Sequence, residues 1–237
     1  MIARTLGVAL KDEPSEIKII VCTALAGLIE SLERKQRKKP ASGGTAAPAA
    51  KIAAVAASAE LNAVSEFAPN YLPLLFNLFT SASSSDPIHH PSFVATMAYV
   101  GITAPAVSAN LFKQLMTRLL APATVATMRV SLTQLAQAFV PKLKDEELSF
   151  LFDTIRPQLS DSDAALQKRS YGVLASICEH HQQWTRTNVA LLTETIGSAL
   201  AACKAQAKKV VSRLSIYLLY ECPASQLTDE SLGWLSH

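Results

Sequence analysis

Cysteine, histidine and carboxylate pairs are where chemistry would begin in this 237-residue chain. Cys178 and His181 stand one helical turn apart, and His89-His90 offers two further imidazoles. A zinc site needs four converging ligands. The two histidine pairs lie 91 positions apart, and no CxxC or HxxxH accompanies them. No metal and no cofactor are therefore expected, and His180-His181 reads as a solvated helix end. Glu146-Glu147 occupy successive positions of a helix start, so their carboxylates point apart and suit the positive end of the helix better than shared acid-base work. GxSxG, a Walker loop, GxGxxG and HExxH are all missing. The reading is a non-enzymatic protein without a small-molecule substrate.

Basic residues are the stronger signal. Arg34, Lys35, Arg37, Lys38 and Lys39 form a run with no acid inside it. Such a run serves as a nuclear-localisation signal or an RNA-contacting arm, or simply as a helix C-terminus, where cations are favoured. Arg129, Arg169 and Lys209 recur at an interval of 40, and Lys168, Lys204, Lys208 and Arg213 extend that ladder. Two uses compete for these side chains. They could contact phosphates or an acidic partner, or they could cover neighbouring helices and stabilise them. Asp163, six residues before Arg169, is the expected carboxylate partner, whereas Ala123 and Cys203 hold the equivalent places before Arg129 and Lys209. Net charge is only +3, so patches matter more than the total.

The elements that carry these residues show the same period. Tyr71-Leu72 with Leu75 and Phe79, Leu111-Phe112 with Leu115 and Leu119, Leu151-Phe152 with Ile155 and Leu159, and Leu191-Leu192 with Thr195 and Ala199 sit in one 40-residue register. Apolar residues at i, i+1, i+4 and i+8 form a buried helical stripe. A stripe returning about every 40 residues, with room for a second helix between copies, reads as HEAT or armadillo repeats. Hydrophobic residues make up 49% and aromatics only 6%, with 8 glycines, which suits helices better than a nucleotide-binding α/β sheet. The expected class is all-α, a HEAT/armadillo-like α-solenoid of stacked antiparallel helix pairs with second helices along its inner face.

The expected organisation is an N-terminal helical repeat over 1–35, a basic Pro-Gly linker over 36–48 and HEAT-like repeats over 49–237. Repeat units fall at 70–103, 107–140, 146–180 and 187–221, with neighbouring helices paired over 49–80, 92–121, 123–159, 163–202 and 205–221. A further helix should start near Thr228. Cys22, Cys178, Cys203 and Cys222 sit in apolar helical text, which fits free thiols in the cytosol or nucleus. The longest apolar run, Ile19–Ile29, has 11 residues, against about 20 for a membrane span. No membrane association is expected. Tyr99, Tyr217 and Tyr220 are spaced as core or groove residues, and Trp184 and Trp234 carry no assignment.

The segment LSFLFDTIRPQLSDSDAALQKRSYGVLASICEH places a proline late in one helix, aspartates in the turn, and Lys168-Arg169 at the start of the next helix. Pro157 should kink its helix, and Asp163 should cap the one that follows. With the preceding VSLTQLAQAFVPKLKDEE, and loosely through KKVVSRLSIYLL, this stretch resembles the ribosomal RNA processing protein 12 family of HEAT-repeat assembly factors. SASSSDPIHHP and the basic linker do not carry that resemblance. Members of the family are several-fold longer, so this chain would be an interior segment. The resemblance implies a nuclear or nucleolar factor, with shuttling to the cytoplasm as a further expectation. It implies roles in ribosomal RNA maturation and subunit export, and partners among pre-ribosomal particle proteins, ribosomal RNA and nuclear transport factors. The alternative is a karyopherin-like transport receptor or adaptor that holds protein cargo.

Overall fold

The computed structural model describes residues 2–37 and 47–221, and among these the chain is helical with no strand. Twelve helices follow in order: α1 (Ile2–Asp12), α2 (Ser15–Arg37), α3 (Ala47–Ser65), α4 (Ala68–Ser81), α5 (His89–Ile102), α6 (Pro105–Leu120), α7 (Ala126–Phe139), α8 (Asp145–Ile155), α9 (Ala164–His180), α10 (Gln182–Thr187), α11 (Val189–Leu200) and α12 (Ala205–Glu221). Short 3-10 turns, Val140–Lys142 and Arg156–Ser160, follow α7 and α8. The chain divides into two compact units, Met1–Leu111 and Phe112–His237. Each is built from helix pairs stacked as in a HEAT-like α-solenoid.

In the first unit α4 packs on α5, α2 lies beside α5, and α1 touches both α2 and α4. The hairpins α1–α2 and α4–α5 are thus successive pairs. Helix α3 packs mainly on α2, which corrects the expected pairing of residues 49–80. In the second unit α9 lies between α7 and α12, while α8 and α11 meet at the turn Arg156–Ser160.

The repeated stripe is the core. Tyr71, Leu72, Leu75, Phe79, Phe112, Leu115, Leu119, Leu151, Phe152, Ile155 and Leu159 are all buried. Each fully buried side chain of this size contributes about 2 kcal/mol relative to an exposed one. Aromatic rings reinforce it within each unit: Tyr71 meets Tyr99 edge-on at 6.0 Å and Phe112 meets Phe139 at 5.8 Å. The fourth copy is imperfect. Leu191 is only half-buried, and Thr195 is buried with a hydroxyl that finds no partner.

Several local expectations are corrected. Pro157 ends α8 instead of kinking it, because a proline ring cannot donate to the carbonyl of Asp153 and the chain tightens into the turn Arg156–Ser160. Helix α2 continues to Arg37, inside the expected linker, and α3 already contains Pro48 in its first turn, where a missing N–H costs little. Helix α5 begins at His89, with Pro91 likewise in its opening turn. The short α10 fills the connection expected between residues 180 and 187. Lys38, Lys39, Cys222, Trp234 and the expected helix near Thr228 lie outside the described residues. No helix among the described residues is long and apolar enough to cross a membrane.

Candidate functional site

The sequence of α12 separates packing from presentation. Ala207, Val211, Leu214 and Leu218 recur at helical spacing and are buried, while Lys208, Lys209, Arg213 and Ile216 lie on exposed positions. Helix α9 follows the same rule: Leu166, Ser170, Tyr171, Val173, Leu174 and Ile177 pack inward, and Lys168 is exposed with Arg169 half-buried. Asp163 opens α9 as expected, its carboxylate accepting the backbone N–H groups of Ala165 at 2.8 Å and Leu166 at 3.3 Å. That engagement is also why it is not the ladder partner of Arg169: the carboxylate is turned to the helix start, and the two make no ion pair.

Between α9 and α12 runs a groove of about 560 Å³, with Gln137 of α7 at its edge. Lys168, Arg169 and Arg213 line it, above a floor that includes Gly172, Ala175, Val210 and Leu214. Gly172 is there for proximity: a Cβ at this position would stand 3.2 Å from the Gln137 Oε1. The groove holds one carboxylate, Glu179, and Arg213 reaches it at 3.4 Å on the exposed surface. The remaining sequence-predicted cations stand elsewhere. Arg129 is half-buried and donates from Nη2 to the carbonyl of Thr124 at 3.2 Å, so it is spent on the turn before α7. Lys204 lies in the turn before α12 and Lys208-Lys209 on its first turns, all exposed. The interval of 40 therefore places Arg129, Arg169 and Lys209 in equivalent helices but not in one groove.

In the first unit, Arg34 pairs with Glu30 at 2.6 Å and Arg37 with Glu33 at 3.6 Å, one turn back along α2. The run has no acid inside it, yet helical geometry supplies acids from upstream. Exposed pairs of this kind contribute little stability, but they lower the positive potential there. Lys35 is exposed without an ion pair among the described residues.

Side chains whose structural roles the sequence did not reveal hold the second unit's helix ends together. Gln167 is fully buried; its Nε2 donates to the carbonyls of Leu159 and Ala202, and its Oε1 accepts the N–H of Lys204. The Gln158 Oε1 accepts the Ser170 hydroxyl at 2.8 Å. The His181 Nε2 lies 2.6 Å from the Val140 carbonyl, so this residue is a strut and not a solvated helix end. Trp184 donates to the Ser149 Oγ at 3.1 Å and meets Phe152 edge-on at 5.8 Å, which fixes α10 to α8. Burial pushes the Tyr171 hydroxyl up to about 12, with Cys203 adding to the effect. Among the described residues, no group of three or more His, Cys, Asp or Glu side chains could hold a metal ion.

The family described as ribosomal RNA-processing protein 12, HEAT repeats, matches residues 1–82. That stretch takes in the basic linker, which was expected to lie outside the resemblance. The RRP12-like protein of Homo sapiens is 28% identical over 215 residues, covering 88% of this chain and 15% of the human protein. Its Gallus gallus counterpart is 29% identical over 180 residues, covering 75% of this chain and 12% of the relative. The chain thus spans under a fifth of the length of these relatives. Among solved structures, an engineered protein studied by a structural genomics consortium aligns with all of this chain and 85% of its own at a TM-score of 0.56 and 15% identity, a likeness of fold alone. Taken with the stacked helix pairs, these matches make the chain similar, over most of its length, to the ribosomal RNA-processing protein 12 family of HEAT-repeat proteins.

Proposed function

We propose that this chain is a non-catalytic HEAT-repeat scaffold of ribosome biogenesis, acting in the nucleus or nucleolus and contacting RNA through the second helices of its second unit. The carrying observation is the charge of α7, α9 and α12. Helices α9 and α12 carry Lys168, Arg169, Lys208, Lys209 and Arg213 against Glu179 and Glu221, and Arg129 of α7 adds a cation whose guanidinium already donates to the Thr124 carbonyl. Lys204 adds a cation at the turn before α12. Cations fixed on a rigid helical layer suit a phosphate backbone, which they position without reading bases. The names of the relatives and the family support a role in ribosomal RNA maturation. Assembly factors and nuclear transport proteins are the protein partners this reading calls for.

Exposed Lys204, Lys208 and Lys209 form the centre of the RNA contact. Binding of a labelled uridine oligonucleotide, followed by anisotropy across a salt series, tests this. Affinity should fall linearly on a log-log plot with a slope of about −0.7 per phosphate neutralised on a single strand. Reversal of Lys204, Lys208 and Lys209 to Glu should weaken binding by at least about tenfold and flatten the slope in proportion to the phosphates no longer neutralised. Unchanged affinity and slope in a folded triple variant would remove the RNA reading.

A further inference from the structure

The groove between α9 and α12 differs from the lysines beside it. It is cationic at the rim but aliphatic at the floor, and its chemistry is that of a peptide site. We infer that it docks a partner segment in which an apolar side chain is flanked by Asp or Glu. This deepens the scaffold reading by naming one class of protein partner, and it rests on that reading only for the idea that the chain holds partners at all.

Charge complementarity comes first. Lys168 and Arg169 stand on one wall and Arg213 on the other, with Glu179 the single acid in the lining, and α12 carries no carboxylate from Ala205 to Tyr220. The floor argues against a nucleic acid. Val210, Leu214 and Ala175 are aliphatic and Tyr217 is the one ring in the lining, whereas single-stranded nucleic acids draw much of their affinity from stacking successive bases on several such rings. Ile216 is 54% exposed at the groove lip, so an incoming aliphatic or aromatic side chain would cover it and gain apolar burial. The Gln137 carboxamide, at the groove edge and without a side-chain hydrogen bond among the described residues, offers one donor and one acceptor. That pair matches the N–H and C=O of an extended peptide. A cavity of about 560 Å³ is large enough for one or two side chains of such a segment.

The test compares three labelled probes on the whole chain: a short peptide of repeated Asp-Glu-Leu, polyglutamate of the same length, and a uridine oligonucleotide. The Asp-Glu-Leu peptide should bind about tenfold or more tighter than polyglutamate, because only it can use the floor. Ile216→Asp, at an exposed position that folding does not need, should weaken that peptide by about tenfold and leave the oligonucleotide unchanged. Lys168→Glu with Arg213→Glu should weaken both acidic probes. Reversal of Lys204, Lys208 and Lys209 should leave the peptide within about threefold, since none of the three lines the groove. Equal affinity for the two acidic probes would overturn the proposal, as would indifference to Ile216→Asp in a protein with unchanged circular dichroism. Displacement of the peptide by the oligonucleotide, together with loss of both on Ile216→Asp, would make the groove a nucleic-acid site instead. Loss of the RNA reading while the peptide still binds leaves this inference standing.

Discussion

The side chain of Gln167 and the backbone of Lys204 share a 2.7 Å hydrogen bond across 37 residues, Oε1 accepting from N–H. The same carboxamide donates at 3.0 Å to both Leu159 and Ala202. One fully buried group thus satisfies three helix-end groups from two successive repeats. A buried amide is costly unless every arm is engaged, and here both ends are.

Replacing Gln167 with Leu would keep the volume and orphan those three backbone groups. The expected loss is about 3 kcal/mol, because unsatisfied buried polar groups each cost on the order of 1–3 kcal/mol and partial rehydration offsets some of it. Urea denaturation followed by Trp184 fluorescence would read it. A loss below about 0.5 kcal/mol would show that the carboxamide network is not structural.

Thr195 stands where the other copies have Leu75, Leu115 and Ile155. Its hydroxyl is buried without a partner. Thr195→Val exchanges that hydroxyl for a methyl group and should stabilise the protein by about 1 kcal/mol. A destabilised valine variant in thermal melts would mean that the hydroxyl has a use the geometry does not show.

The His89 ring lies against Phe79 at 5.1 Å with the planes tilted by 54°, and leaves Nε2 buried and unpartnered. Burial lowers its pKa from the ordinary 6.5, His90 lowers it further, and Asp86 pulls the other way. The folded state therefore binds fewer protons than the unfolded chain as pH drops through 6.5, and stability is lost in that direction. His89→Phe should retain the ring contact and flatten the stability profile below pH 6.5. Parallel pH profiles for the two proteins would refute the assignment.

Burial pushes the Cys22 thiol up to about 11. Cys178 is also buried, whereas Cys203 is only partly covered, its own upward shift opposed by Lys208. Thiolates are the reactive form. Under native conditions near pH 8, iodoacetamide should label Cys203 well before Cys22 or Cys178, as peptide mapping would show. Early labelling of Cys22 would indicate that α2 opens readily.

The fold was legible because its core repeats: Tyr71, Leu111 and Leu151 each have apolar neighbours one and four residues on, and helical period alone predicts their burial. Helix ends were less legible. Pro157 looks the same in sequence whether it kinks or terminates a helix, and the structure shows the chain tightening into the turn Arg156–Ser160, against which α11 packs. The cations on α9 and α12 could be found by spacing. Their grouping could not, because Arg129 turns onto the Thr124 carbonyl and Asp163 onto its own helix start, choices set by local backbone geometry. Gly172 was the available hint of the groove. A glycine in mid-helix is unfavourable by itself and marks a close approach. Gln167 gave no such hint, since a glutamine beside Lys168-Arg169 reads as surface.

Helix α12 keeps its adhesive row and its display row on different sides. Charge reversal along the display row can change what the surface attracts without loosening the fit of Val211, Leu214 and Leu218 beneath it. Ligand preference in this stretch is thereby adjustable while the scaffold stays put, and a change of partner need not start with a change of shape.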